Sequence, residues 1–287
     1  MPEAVMSKIT YSLTVGDIEC TVIDDGAPPI DFERLQGRFP HIPEAELRQA
    51  VQDAEQHPAS IPWGINPLLV RAGDQVILID GGNPRDEQPD TGLLADRLLD
   101  AGTSPGQINF VVITHLHGDH IGGLFTGPNM DFTYPNASYY VTHAEWNYWA
   151  NTDLLKSMGD FGKTTYDRLR RLEPHIKKIN TNTLIAPGVQ AVSAMGHTPG
   201  HIGVMVQSKE QSLLHAVDTL HSPIQFAHPD WSIKFDAEKT LAAETRERLL
   251  GRAADEKLLT LFYHLPFPGL GHVRHDDGAF VWQPLPV

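Results

Sequence analysis

The chain has 287 residues, 41% hydrophobic and 20% charged, which is enough apolar material for one large or two small folded units with a sizeable core. With 22 Lys and Arg against 36 Asp and Glu, its formal net charge is -14, a field that repels phosphate backbones and anionic lipid heads and excludes nucleic acid as a partner. No run approaches the ~20 consecutive apolar residues of a membrane span, and Met1-Pro2-Glu3-Ala4 lacks the basic and apolar parts of a leader, so a cytoplasmic chain is expected.

Alternation of apolar and polar residues from 8 to 24 around Gly16-Asp17 predicts a hairpin. The only cysteine, Cys20, lies in its inward run of Ile18, Cys20 and Val22, where a buried thiol without a disulfide is expected. Pro43 to Gln56 predicts a helix, flanked by a stretch read as irregular that carries Phe32, Phe39 and Trp63. A second hairpin follows over residues 67 to 80 around Ala72-Gly73-Asp74, then a helix from about Thr91 to Asp100 and a strand from Ile108 to Ile113. The later strands are read at Ser138 to Val141, Val189 to Ala194, Ile202 to Gln207, Leu213 to Val217 and Leu258 to Tyr263. Helices are read near 143 to 150, 164 to 172 and 237 to 254. Two blocks of strands, each with helices, predict two sheets face to face with helices outside. No repeat, low-complexity tract or linker marks a boundary, so one domain over 1–287 is expected.

The chemistry concentrates where strands stop. Thr114-His115-Leu116-His117-Gly118-Asp119-His120 follows the strand Ile108 to Ile113 and packs three imidazoles and a carboxylate into six positions. These are the ligand types that borderline divalent metals such as zinc take. In an extended segment His115 and His117 project to one side, while a turn at Gly118 sends Asp119 and His120 toward a second centre. Gly196-His197-Thr198-Pro199-Gly200-His201 lies between two strands, Asp218 closes Leu213 to Val217, and His264 closes Leu258 to Tyr263. Strand ends are where α/β sheets expose side chains in a crevice.

This string, His115-X-His117-X-Asp119-His120 followed by His197, Asp218 and His264, resembles the dinuclear metallo-β-lactamase superfamily and spans nearly the whole chain. Asp80 in Leu78-Ile79-Asp80-Gly81-Gly82 matches that superfamily's early strand-end aspartate. Pro135-Asn136-Ala137 and the run from His264 to His272 resemble the branch of methyl parathion hydrolase and its lactonase and aryl-esterase relatives. The resemblance implies a four-layer αββα sandwich in the α/β class and two divalent ions, most simply zinc. One ion would sit on His115, His117 and His197 and the other on Asp119, His120 and His264, with Asp218 bridging. It further implies catalytic roles for Asp119, Asp218 and His221, and substrate contacts from Trp149 and His221. Two divalent charges lower the pKa of bound water to near ~7, which makes a nucleophilic hydroxide at neutral pH.

The expected reaction is therefore the opening of a lactone or the cleavage of a related carboxylic ester, with a small-molecule substrate and a homodimer as the assembly. A phosphotriester is the rival substrate, and a non-hydrolytic metal-binding or redox scaffold is the rival class. N-acyl-homoserine-lactone lactonases carry a tyrosine three residues after the bridging aspartate, where this chain has His221. Dinuclear β-lactamases lack that bridging aspartate, so Asp218 argues against antibiotic hydrolysis, and the charge of -14 argues against the nuclease branch. His201, His272, His275 and Asp80 are read as outer-sphere or surface groups, and His41, His57, His143, His215 and His228 as surface or packed residues.

Overall fold

The computed structural model describes residues 9–85 and 90–286. Met1 to Ala4, read above as lacking a leader, lie outside the described residues, as does position 8 of the first predicted hairpin. β1 (Thr10–Val15) and β2 (Ile18–Ile23) pair antiparallel across Gly16 and Asp17. Cys20 is fully buried between them and the opposite sheet, and burial pushes its thiol up to about 12. Next comes α1 (Phe32–Arg38), capped by Asp31, whose side chain accepts from the Arg34 amide at 2.9 Å. This helix corrects the reading of the stretch as irregular. Seven residues including Gly37 are too few to declare a helical period, and tertiary packing of Phe32 and Leu35 supplies what propensity does not. α2 (Glu44–Asp53) falls inside the predicted helix and buries Leu47, Ala50 and Val51, one face at 3.6-residue spacing.

The chain then builds the rest of the first sheet. β3 (Leu68–Ala72) and β4 (Gln75–Ile79) form the second hairpin. α3 (Leu94–Asp100), β5 (Phe110–Val112), the short α4 (Gly118–Ile121) and a small ribbon of β6 (Phe125–Thr126) with β7 (Asp131–Phe132) follow. β8 (Ser138–Thr142), α5 (His143–Trp149), α6 (Thr152–Ser157), α7 (Gly159–Leu172) and β9 (Ile176–Ile179) complete this half. The sheet order is β1-β2-β3-β4-β5-β8-β9, antiparallel through β4 and parallel from β4 to β9.

The second sheet runs in sequence order through β10 (Leu184–Ala186), β11 (Val189–Ser193), β12 (Ile202–Ser208) and β13 (Gln211–Val217). After α8 (Ile224–Ala227) and α9 (Lys239–Asp255) come β14 (Leu259–Phe262), β15 (Leu270–Asp276) and β16 (Ala279–Pro284). Its pairs are antiparallel except β13 with β14, which are parallel because α9 carries the chain back across the sheet.

Three apolar clusters fix the layering. Val22, Val70, Ile79 and Val112 of the first sheet meet Val189, Val204, Leu213 and Leu261 of the second, which is the core between the sheets. The outer face of the first sheet packs Leu78, Val111 and Val141 against Leu98 of α3, Trp146 of α5 and Leu169 of α7. The outer face of the second packs Leu214 and Phe262 against Phe226 of α8 and Leu249 and Leu250 of α9. The result is the expected αββα sandwich. A fourth cluster joins Leu35, Phe39, Leu47 and Val51 of the first two helices to Ile61, Ile224 and Trp231, and so seats those helices beside the strand ends. No helix among the described residues is long and apolar enough to cross a membrane.

Candidate metal centre

Each candidate ligand sits where a strand lets go of its sheet. β5 ends at Val112, five further residues lead to α4 at Gly118, and the helical turn gives Asp119 and His120 a different direction from His115 and His117. His197 lies between β11 and β12 in a loop pressed against two helices. A Cβ on Gly200 would stand 2.0 Å from the Glu145 amide, and one on Gly196, at φ +127°, would stand 2.3 Å from the Ala242 amide. Asp218 follows Val217, a buried β-branched residue held at φ 51°, a strained left-handed turn that re-aims the next side chain. His264 follows β14 by two residues.

These four segments bring two donor sets together. His115 Nε2 and His197 Nε2 each lie 3.0 Å from His117 Nδ1, and Asp218 Oδ2 lies 3.6 Å from the first and 3.4 Å from the second. A nitrogen with one hydrogen or one lone pair cannot bond both neighbours, so the three rings aim at a common point. Ligand atoms on a tetrahedral zinc, with bonds of ~2.0 to 2.1 Å, stand ~3.3 Å apart, which matches these separations. The second set is Asp119, His120 and His264, with His264 Nε2 3.5 Å from Asp119 Oδ2 and His120 Nε2 3.8 Å from Asp119 Oδ1. Asp218 reaches this set too: Oδ1 is 3.3 Å from His120 Nε2 and Oδ2 is 3.1 Å from His264 Nε2. His120 Nε2 and Asp218 Oδ1 are buried and close, yet not aligned as a hydrogen bond, and neither has a partner. Two orphaned groups of this kind, a donor set of imidazole and carboxylate, and a carboxylate shared between the sets fit a pair of divalent ions.

The charges point the same way. Burial would raise the Asp218 carboxyl, but the surrounding His264, His120 and His115 hold it well below the ordinary range. Asp119 is lowered likewise, burial being outweighed by His120 and His264. Burial lowers His115 far below its usual value, and takes His117 to about 3 and His221 to about 4. His120 goes the other way, since Asp218, Asp80 and Asp119 overcome its burial. His197 is raised as well, its burial overcome by Asp236 and Asp218. The two carboxylates are thus ionised and the His115 and His117 rings carry free lone pairs, as ligands must.

The outward nitrogens are held as well. His120 Nδ1 is 2.8 Å from Asp80 Oδ2, and Asp80 in turn accepts from the Thr114 amide and hydroxyl at 2.8 and 2.7 Å. His197 Nδ1 is 2.8 Å from Asp236 Oδ1, and His264 Nδ1 donates to the Gly64 carbonyl at 3.0 Å. The donor sets open into a cleft of about 600 Å³ lined by Tyr148, Trp149, Met158, Phe161, Arg38 and Lys234, with Trp149 beside His117 and Arg38 over Trp63, which packs on His264. Trp149 lines the cleft but is only 2% exposed, and its indole N–H is bound to Glu145 at 2.7 Å, so it is a fixed wall edge-on to His117. His221 also lines the cleft, with Nε2 3.2 Å from Asp218 Oδ2 and its ring stacked on His264 at 5.2 Å.

The metallo-beta-lactamase superfamily model matches residues 61–279. The chain belongs to that superfamily. Among its relatives, an N-acyl homoserine lactonase of Bacillus sp is 24% identical over 219 residues, 68% of this chain and 79% of its own length. Of the solved structures, AidC, a dizinc quorum-quenching lactonase in complex with a product, superposes with a TM-score of 0.88 at 29% identity, covering 97% of this chain and 98% of its own. The hydrolase AbOPH of the same superfamily superposes at 0.86 with 27% identity, covering 97% and 98%.

Within this superfamily frame the structure adds residues that sequence reading missed. Glu145 is fully buried and accepts four hydrogen bonds: from the Leu116 amide at 2.9 Å, Trp149 Nε1 at 2.7 Å, Thr198 Oγ1 at 2.6 Å and the Gly200 amide at 3.1 Å. It ties the loop of His115 and His117 to the loop of His197. Arg246 of α9 donates to the Thr219 carbonyl at 2.7 Å and reaches Asp236 at 3.5 Å, steadying the turns after Asp218 and behind His197. Tyr263 stacks on His120 at 4.1 Å and donates to the Asp119 carbonyl. Of the remaining histidines, His201 backs His115 with ring centroids 5.0 Å apart and is bound to the Ala194 carbonyl, while His272 and His275 face the Leu258 carbonyl and Asp255, away from the donors.

Proposed function

We propose that the chain is a zinc-dependent hydrolase, folded as one domain over residues 1–287, that opens a lactone or cleaves a related carboxylic ester. The observation that carries this reading is the shared carboxylate: Asp218 lies between the two donor sets, its Oδ2 near His197 of one and His264 of the other and its Oδ1 near His120, in a cleft lined largely by apolar side chains. Relatives named as lactonases at 24% and 29% identity support the same substrate class. His115, His117 and His197 would hold one ion, and Asp119, His120 and His264 the other. A divalent pair there supplies a water that ionises near neutral pH and a Lewis acid for the carbonyl oxygen.

The chain's own groups do the rest. Trp149 and Phe161 take the apolar part of the substrate and keep bulk water from it. The Asp119 side chain, 31% exposed, is the carboxylate open to the cleft and accepts the proton given up on attack, then returns it to the leaving oxygen. His221, which burial lowers to about 4 and so leaves neutral at pH 7, carries its single hydrogen on Nε2 toward Asp218 and holds that carboxylate in place beside the reacting carbonyl.

A panel of aliphatic lactones, aryl esters and phosphotriesters, with metal analysis on the same sample, tests this. About two ions per chain and lactone or ester turnover are expected, with both largely lost in Asp218→Ala. One ion per chain with activity intact after that substitution overturns the dinuclear assignment. Turnover confined to phosphotriesters overturns the substrate class.

A further inference from the structure

The cleft that Trp149 lines also carries two cations, in a chain whose net charge is -14. Arg38 stands in the last turn of α1, and the Lys234 amide donates to the Arg38 carbonyl at 2.8 Å, so the fold fixes the two side by side at the cleft. Among the described residues neither makes a direct ion pair, and Asp119 acts on Arg38 only at longer range. Arg38 Nη1 is buried with no hydrogen-bond acceptor, and the guanidinium instead lies 3.7 Å over the Trp63 ring. Trp63 in turn packs on His264 at 5.2 Å, so the guanidinium is one ring removed from the donor sets. The carboxylates nearby are committed elsewhere: Asp119 and Asp218 to the donor sets, and Asp236 to His197, the Ile233 amide and Arg246.

A solvated lysine at a rim is ordinary, but a half-buried guanidinium with an unmade hydrogen bond is costly unless something arrives to accept it. The planar fork of arginine fits a carboxylate in two parallel bonds, and a neighbouring ammonium adds charge without demanding geometry. We propose that Arg38 and Lys234 form a subsite for an anionic group of the substrate, a carboxylate borne at the end opposite the ester or lactone that is cleaved. This deepens the hydrolase reading and rests on it for which bond is broken. Ordinary neutral lactones would leave the subsite unused, whereas an ester of a dicarboxylic or carboxyl-bearing hydroxy acid would engage both ends of the cleft.

The test is calorimetric titration of the zinc-loaded protein with straight-chain dicarboxylates of increasing length, each matched to its monocarboxylate and its monoamide. At one chain length the dicarboxylate should bind about tenfold or more tightly than both controls. Arg38→Met and Lys234→Met should each reduce that ratio to about threefold or less. Lys234 is exposed, so its variant keeps the test alive if loss of the Arg38 stack disturbs folding. A ratio that survives both substitutions, a monoamide that binds as well as the dicarboxylate, or no chain length with a preference overturns the subsite. Turnover of lactones and carboxylic esters, neutral and carboxyl-bearing, by the same wild-type sample is read separately. Its absence on all of them beside an intact dicarboxylate ratio removes the hydrolase reading and leaves the subsite standing.

Discussion

Glu145 shows how much of a metal centre is built by groups that never meet the metal. Its two oxygens accept four hydrogen bonds in a space closed to water, and burial is the largest influence on it, raising its carboxyl. In Glu145→Gln one of those oxygens becomes an NH2 that faces other donors, at about 1 to 3 kcal/mol for each group left unmade. The loops of His115, His117 and His197 should loosen together, and metal affinity, measured by competition with a chromogenic chelator, should fall by about 10- to 100-fold. Unchanged affinity would mean that the loops hold themselves. His120 and His197 carry a second expectation. The carboxylates around His120 and the Asp236 bond to His197 raise both rings above their ordinary value against the pull of burial, so without metal they hold a proton to higher pH than a free imidazole does. A cation must displace those protons, so affinity should fall as pH drops and binding should release protons. Calorimetry in two buffers of different ionisation enthalpy reads that release directly, and a binding heat independent of buffer would contradict it.

At the scale of elements, α1 is the helix on which most depends for its length. Its seven residues bring Arg38 to the cleft and seal one end of a core made with α2, Ile61 and Trp231. Leu35→Ala, at a fully buried position, should lower unfolding free energy by about 2 to 5 kcal/mol in denaturant titration. A loss below about 1 kcal/mol would show that the helix is carried by its neighbours. This element was not legible in the sequence, and the reason is physical: fewer than two turns offer no period to read, and the partners that stabilise it are distant in the chain. β9, with Ile176 and Ile179 around two lysines, and β15, interrupted by Gly271, His272, Arg274 and His275, were missed because one face of each meets solvent or an edge. The hairpins around Gly16 and Gly73 and the buried runs of β12 and β13 were legible, since their alternation or continuity follows directly from which faces are covered. The seven candidate donors, which the fold brings together, could be picked out because ligand chemistry restricts residue type where strands end. Glu145, Asp236, Arg246 and Arg38 could not, because what gives each its work is a backbone group or side chain that only the finished fold brings near.

The molecule as a whole draws its donors from both halves: His115, His117, Asp119 and His120 follow a strand of the first sheet, and His197, Asp218 and His264 follow strands of the second. Ions bound there would cross-link the two layers and be lost on unfolding. Free metal at 1,000 times its dissociation constant therefore adds about 4 kcal/mol of stability. Chelation should lower the melting temperature, and restoring zinc should recover it. A melting temperature indifferent to chelator would place the ions outside the folded framework. The parallel pairing of β13 with β14 gives this arrangement a temporal meaning. Between Asp218 and His264 the chain must leave the sheet, form α9 and return, so the last donor arrives only after the longest excursion of the second half has closed. A half-formed chain with the first sheet alone presents four donors and no bridge. Capture of the ions is thus a record of completed assembly, and their escape is a timer for its reversal: a zinc-sensitive dye added to the holoprotein in denaturant should follow the parting of the two sheets as it happens.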